Sequence, residues 1–122
     1  MGQGKKPAKG PATSAFDGNV GDWANGHWKG IIWNNYSNTP MYTEERTLDV
    51  ERLPDGKVGC RWAYPPDMPV GWAPKCKIDE KGISLLSTAG SDVELSRSGV
   101  GLEGRMRTKS SVRWLAQLKR VQ

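Results

Sequence analysis

Turn signals recur about every ten residues along most of this chain, and between them apolar and polar residues alternate; evenly spaced short strands of this kind build sandwiches and barrels. The strongest single signal is Leu53-Pro54-Asp55-Gly56-Lys57. Proline presets the first central dihedral of a turn, Asp tolerates the next position, and Gly accepts a positive φ. The strand that follows sets Val58, Cys60, Trp62 and Tyr64 on one face and Lys57, Gly59, Arg61 and Ala63 on the other. That alternation is the mark of an antiparallel sheet with one wet face.

The same reading yields eight strands, at 27–34, 43–53, 57–64, 75–79, 83–88, 92–96, 100–107 and 112–120, with no helical stretch. In the first, Trp28, Gly30 and Ile32 share a face; residues 34–40 are turn-rich. Residues 65–74 carry Pro65, Pro66, Pro69 and Pro74, which lack amide donors, so this segment is a loop holding Met68 and Trp72. The connections are all short enough for hairpins, and a meander that closes on itself removes its sheet edges. The expected fold is therefore all-β: a small antiparallel up-and-down barrel, wide enough inside for side chains or one small ligand.

Composition sets the rest of the frame. The chain has 122 residues, which suits one domain. Only 36% of residues are apolar, but six tryptophans fill a core that aliphatic residues alone would leave thin. Residues 1–15 contain little that is apolar and carry Lys5, Lys6 and Lys9; they are predicted to be a disordered basic tail, with residues 16–122 as the barrel domain. No apolar run reaches the roughly 20 residues of a membrane span, and no signal-type segment follows Met1-Gly2-Gln3-Gly4-Lys5-Lys6. Gly2 is followed by Lys6 where a myristoylation motif wants Ser or Thr. Cys60 and Cys76 fit neither a Cys-x-x-Cys redox pair nor a zinc site. They are read as a disulfide, with free core thiols as the alternative, and a disulfide implies an oxidising, secreted or periplasmic, setting.

Gly26-His27-Trp28 on the first strand and Lys119-Arg120 on the last resemble the calycin superfamily, which includes lipocalins, avidins and small bacterial lipocalin-like domains. The resemblance covers about residues 16–121. It implies that Gly26 and Trp28 mark the closed end of the barrel and that Arg120 (or Lys119) packs across the Trp28 ring. The folded part is shorter than a typical lipocalin and lacks the usual C-terminal helix, so the resemblance implies a small bacterial-type barrel with a filled interior.

An enzyme is not expected. His27 is the only histidine and lies among structural strand residues. No Gly-x-Ser-x-Gly, phosphate-loop or metal-helix motif is present, and adjacent Glu44 and Glu45 point to opposite faces of a strand. No cofactor or metal is implied. The candidate ligand contacts are aromatic or soft: Trp33, Trp62, Tyr64, Met68 and Trp72, with Trp72 first among them because it sits in the proline-rich loop. Core packing is the competing role for Trp62, and loop packing for Trp72. Arg105, Arg107, Lys109 and Arg113 form a basic patch on the last two strands; the competing role is a solvated exterior.

Three functions fit this pattern. The first is a secreted or periplasmic lipocalin-like module that binds a small apolar or glycan ligand, or a partner protein. The second is an inhibitor or structural interaction protein, with a solid barrel and an inserting 65–74 loop. The third is a basic barrel that binds nucleic acid through its tail and last two strands.

Overall fold

The structure, a computed structural model, describes residues 22–34, 43–66 and 68–121. The predicted tail, the domain start at 16, and the turn at 35–40 lie outside the described residues. Eight strands are present: β1 (Gly26–Asn34), β2 (Thr43–Arg52), β3 (Val58–Ala63), β4 (Lys75–Ile78), β5 (Gly82–Leu86), β6 (Asp92–Ser98), β7 (Gly101–Arg107) and β8 (Arg113–Val121). Each falls within two residues of its predicted bounds. A short 3₁₀ turn, Asp22–Ala24, precedes β1 where an entry loop was expected.

All neighbours pair antiparallel in the order β3-β2-β1-β8-β7-β6-β5-β4, so first and last strands meet and the sheet curls into a nearly closed up-and-down barrel. The local chemistry explains the hairpins. In the β2–β3 turn, Gly56 has φ +87° and the Asp55 carboxylate accepts the Lys57 N–H at 3.0 Å. In the β4–β5 turn, the Asp79 carboxylate accepts the N–H groups of Lys81 (2.8 Å) and Gly82 (3.0 Å). Those two donors, helped by Lys77 and Lys81, hold the Asp79 carboxyl below the ordinary carboxylate range.

The seam of the barrel lies between β3 and β4. No ladder of strand pairs joins them; the Cys60–Cys76 disulfide does, with Cα atoms 6.1 Å apart. Cross-strand partners in a ladder sit about 4.5–5.5 Å apart, so the bridge spans a gap only slightly wider than a normal pair. The register shows why the cysteines fall here. Asn34 of β1 pairs with Trp114, Trp114 with Met106, Met106 with Val93, Val93 with Leu85 and Leu85 with Cys76. The disulfide carries that ring across to Cys60, which pairs with Val50, which pairs with Gly26 at the other end of β1. This stagger is the shear that a closed barrel of tilted strands requires. A backbone bond from Ala73 N–H to Cys60 O at 2.7 Å also crosses the seam.

The core is the inward row of each strand: Trp28 and Ile32, Leu48 and Val50, Val58, Cys60 and Trp62, Cys76 and Ile78, Ile83 and Leu85, Val93 and Leu95, Leu102 and Met106, Ala116 and Leu118. One expectation needs correction. The outer face of β3 is not wet: Gly59 and Ala63 are buried, and the Trp72 ring lies on Gly59 so closely that a Cβ there would meet it at 2.5 Å. Burying the indole against a bare backbone removes far more apolar surface than a polar β3 exterior would.

Candidate functional site

The two ends of the barrel differ. At one end the Asp22–Ala24 turn brings Trp23 against Trp28, edge to face, with centroids 6.2 Å apart. The Trp28 indole N–H donates to Ala24 O at 2.9 Å. Trp23 reaches the opposite wall, where its N–H donates to Asp79 O at 2.8 Å. Two arginines seal this plug: the Arg120 guanidinium lies 4.3 Å over Trp28 and that of Arg97 lies 4.5 Å over Trp23. Arg120 also donates to the carbonyls of Asn25 and Trp23. Gly26 has φ +133°, and a Cβ there would come within 2.5 Å of Arg120 Nη1, so this close approach requires glycine. Arg97 was not singled out from the sequence. Arg97 lies on the same inward row as Val93 and Leu95, and that parity was the available signal.

The other end is built differently. Here the inward row of β2 continues past Leu48 into Arg46 and Glu44. Arg46 is buried, 8% exposed, inside an otherwise apolar wall. Its guanidinium pairs with Glu44 at 3.0 Å, donates to Glu45 O at 3.0 Å, and stacks on the Tyr64 ring at 4.1 Å. Trp62 is buried beside it on β3, and its indole N–H meets no acceptor among the described residues. Tyr64 and Met68 are exposed at this rim. Arg46 and Glu44 carry no motif, and only their even-numbered parity with Leu48 and Val50 marked them as inward-facing.

The five predicted ligand contacts therefore divide. Trp62, Tyr64 and Met68 belong to this second end. Trp33 stands on the outer face of β1, opposite Thr43 and Leu115. Trp72 is packed on Gly59 and lies 4.1 Å under the Arg61 guanidinium. His27 meets the Asp49 carboxylate on the outer face, and Asp49 also lies 3.8 Å from Arg61.

Of the predicted basic patch, Arg105, Arg107 and Arg113 stand exposed on β7 and β8. The outward residues near this second end align in two rows across β4 to β8: Lys75, Leu86, Asp92, Arg107, Arg113, and below them Lys77, Ser84, Glu94, Arg105, Leu115. Together with the inward-row residues Leu85, Val93, Met106 and Trp114 they line a depression of about 940 Å³. Arg105 pairs with Glu94 at 3.3 Å and Arg107 with Asp92 at 3.6 Å. Lys109 sits in the β7–β8 turn beside it, its stem along Gly90.

Among the described residues, no group of three or more His, Cys, Asp or Glu is placed to hold a metal ion, and no helix is long and apolar enough to cross a membrane. Comparison of the chain with protein-family models, with curated proteins and with solved structures yields no match.

Proposed function

We propose that this chain is a calycin-type binding module of an oxidising compartment, secreted or periplasmic, whose barrel is open at the Arg46 end and takes a small ligand there. The observation that carries this reading is the contrast between the ends. One is plugged by aromatic rings and guanidinium groups; the other presents a buried arginine and a buried, unaccepted indole N–H. Burying a guanidinium among apolar side chains is costly, and one carboxylate offsets only part of that cost. A mostly apolar site with a few convergent polar groups is the usual form of a small-molecule pocket.

The chemistry narrows the ligand to an apolar body with an acidic or strongly accepting head. The head would meet Arg46 and the Trp62 N–H, and the body would lie against Tyr64 and Met68. The Cys60–Cys76 bridge is consistent with an oxidising setting.

Anilinonaphthalene sulfonate, with two aromatic ring systems and one anionic group, is a suitable probe. Titration should give saturable energy transfer from tryptophan to the probe. Arg46→Met, which keeps the stem and removes the charge, should weaken binding about tenfold while near-ultraviolet circular dichroism stays native. Non-saturable binding, or equal affinity in natively folded Arg46→Met, would overturn the reading.

A further inference from the structure

Two adjacent strands, β1 and β8, carry no carboxylate. Their outward side chains form a strip along the wall of the barrel. Lys29 faces Lys119 directly across the ladder, Ile31 faces Gln117, and Trp33 faces Leu115; Arg113 follows at the start of β8. Among the described residues, Lys29, Lys119 and Arg113 make no ion pair. Like charges directly opposite one another are destabilising, and local rules are broken mainly where a site needs it. Ile31 is 38% exposed in the middle of the strip, and Trp33 and Leu115 are half-buried beside it.

From Arg113 to Lys119 the strip runs about 20 Å along β8. It is cationic at both ends and apolar between them. Carboxylates stand only on the flanking strands: Glu45 beside Ile31 on β2, and Glu103 beside Gln117 on β7. In a barrel of eight strands each neighbour turns about 45° further round the wall. A flat surface that touches β1 and β8 therefore leaves both carboxylates behind. A nucleic acid carries phosphate at every step, and its middle would meet the apolar residues between the two carboxylates. An anionic bilayer is flat on this scale. It offers negative headgroups to both cationic ends and takes Trp33, Ile31 and Leu115 into the interface between them. Tryptophan is enriched at that depth.

From this arrangement we infer that the β1–β8 wall docks on the surface of an anionic lipid bilayer without spanning it. Lys29, Lys119 and Arg113 meet the headgroups, and Trp33 with Ile31 enters the interface between them. The contact lies outside the barrel and uses none of the residues of the proposed ligand site.

Co-sedimentation of the whole chain with vesicles tests this, using phosphatidylcholine alone and phosphatidylcholine with about one-third phosphatidylglycerol. The protein should bind the anionic vesicles only, and its affinity should fall at least about tenfold as salt rises from about 50 to 500 mM. Each basic residue at such a surface strengthens binding about fivefold, so Lys29→Gln with Lys119→Gln should weaken it at least about tenfold. Lys75→Gln with Lys77→Gln, the same change of charge on the opposite wall, should not. Lipids brominated near the headgroup should quench tryptophan fluorescence in the parent and much less in Trp33→Phe. Anilinonaphthalene sulfonate titration of the Lys29, Lys119 variant should be unchanged, which separates failure here from failure of the ligand reading. The inference is overturned by no sedimentation with anionic vesicles, by equal binding to phosphatidylcholine alone, by equal loss in the Lys75, Lys77 variant, or by equal quenching in Trp33→Phe. It is also overturned if oligothymidylate at equal phosphate releases the protein from the vesicles, which would assign the strip to nucleic acid.

Discussion

Replacing both seam cysteines, Cys60→Ala with Cys76→Ala, removes the covalent cross-link that joins the facing edges of β3 and β4. The bridge closes a loop of sequence separation 16. In the chain-entropy model, freeing a loop of this length costs about 3 kcal/mol. Both sulfurs are buried, and the void they leave adds on the order of 1 kcal/mol. The total, about 4 kcal/mol, corresponds to a fall in melting temperature of about 20 °C for a domain of about 100 residues. Thermal melts followed by circular dichroism measure the fall. The location matters as much as the size: without the bridge, the seam is left with backbone contact such as Ala73 N–H to Cys60 O. Amide exchange should therefore accelerate first in β3 and β4 and last in β1 and β8, which pair along their whole length. A fall under about 4 °C, or acceleration shared equally by β1 and β8, would refute the view that the disulfide holds the barrel shut.

Other perturbations follow from the same geometry. Gly26→Ala combines a positive φ with a clash on Arg120 and should cost about 2 kcal/mol in urea unfolding; a neutral result would mean that the plug is looser than described. Trp72→Ala strips the cover from Gly59 and the partner of Arg61, so it should lower stability by about 2 kcal/mol yet leave sulfonate-probe affinity unchanged. A selective loss of affinity would instead make Trp72 a ligand contact. The Asp79 carboxyl is lowered in the fold, so its contribution is present above the unfolded carboxylate value and is lost as pH falls through the folded one. Lowering the pH from about 5 to about 2 should then destabilise the parent more than Asp79→Asn. Equal urea midpoints for the two proteins at both pH values would contradict that.

The strands were legible because period-2 alternation and turn chemistry are local. Pro54-Asp55-Gly56 announces its hairpin, and Val58, Cys60 and Trp62 announce their inner face, with no reference to anything distant. The disulfide was legible from the count of two cysteines, but its position on the seam was not, because the seam is a property of barrel closure. Non-local packing defeated the remaining assignments. Gly59 and Ala63 alternate as a wet face, yet Trp72, more than ten residues onward, covers Gly59. Lys75 and Lys77 lie far from Arg105, Arg107 and Arg113 in sequence, and only strand order sets them in the same rows. Arg46 is one of several charged residues in β2 and carries no motif. Only its depth, inside a closed wall beside Trp62, distinguishes it.

The most direct test of the account is the set of indole N–H resonances of the six tryptophans, followed by NMR during titration with anilinonaphthalene sulfonate. Binding through the open end predicts that the Trp62 resonance shifts saturably, while Trp23 and Trp28, locked in the opposite plug, stay in place. Movement of Trp23 or Trp28 with Trp62 unchanged would contradict the account.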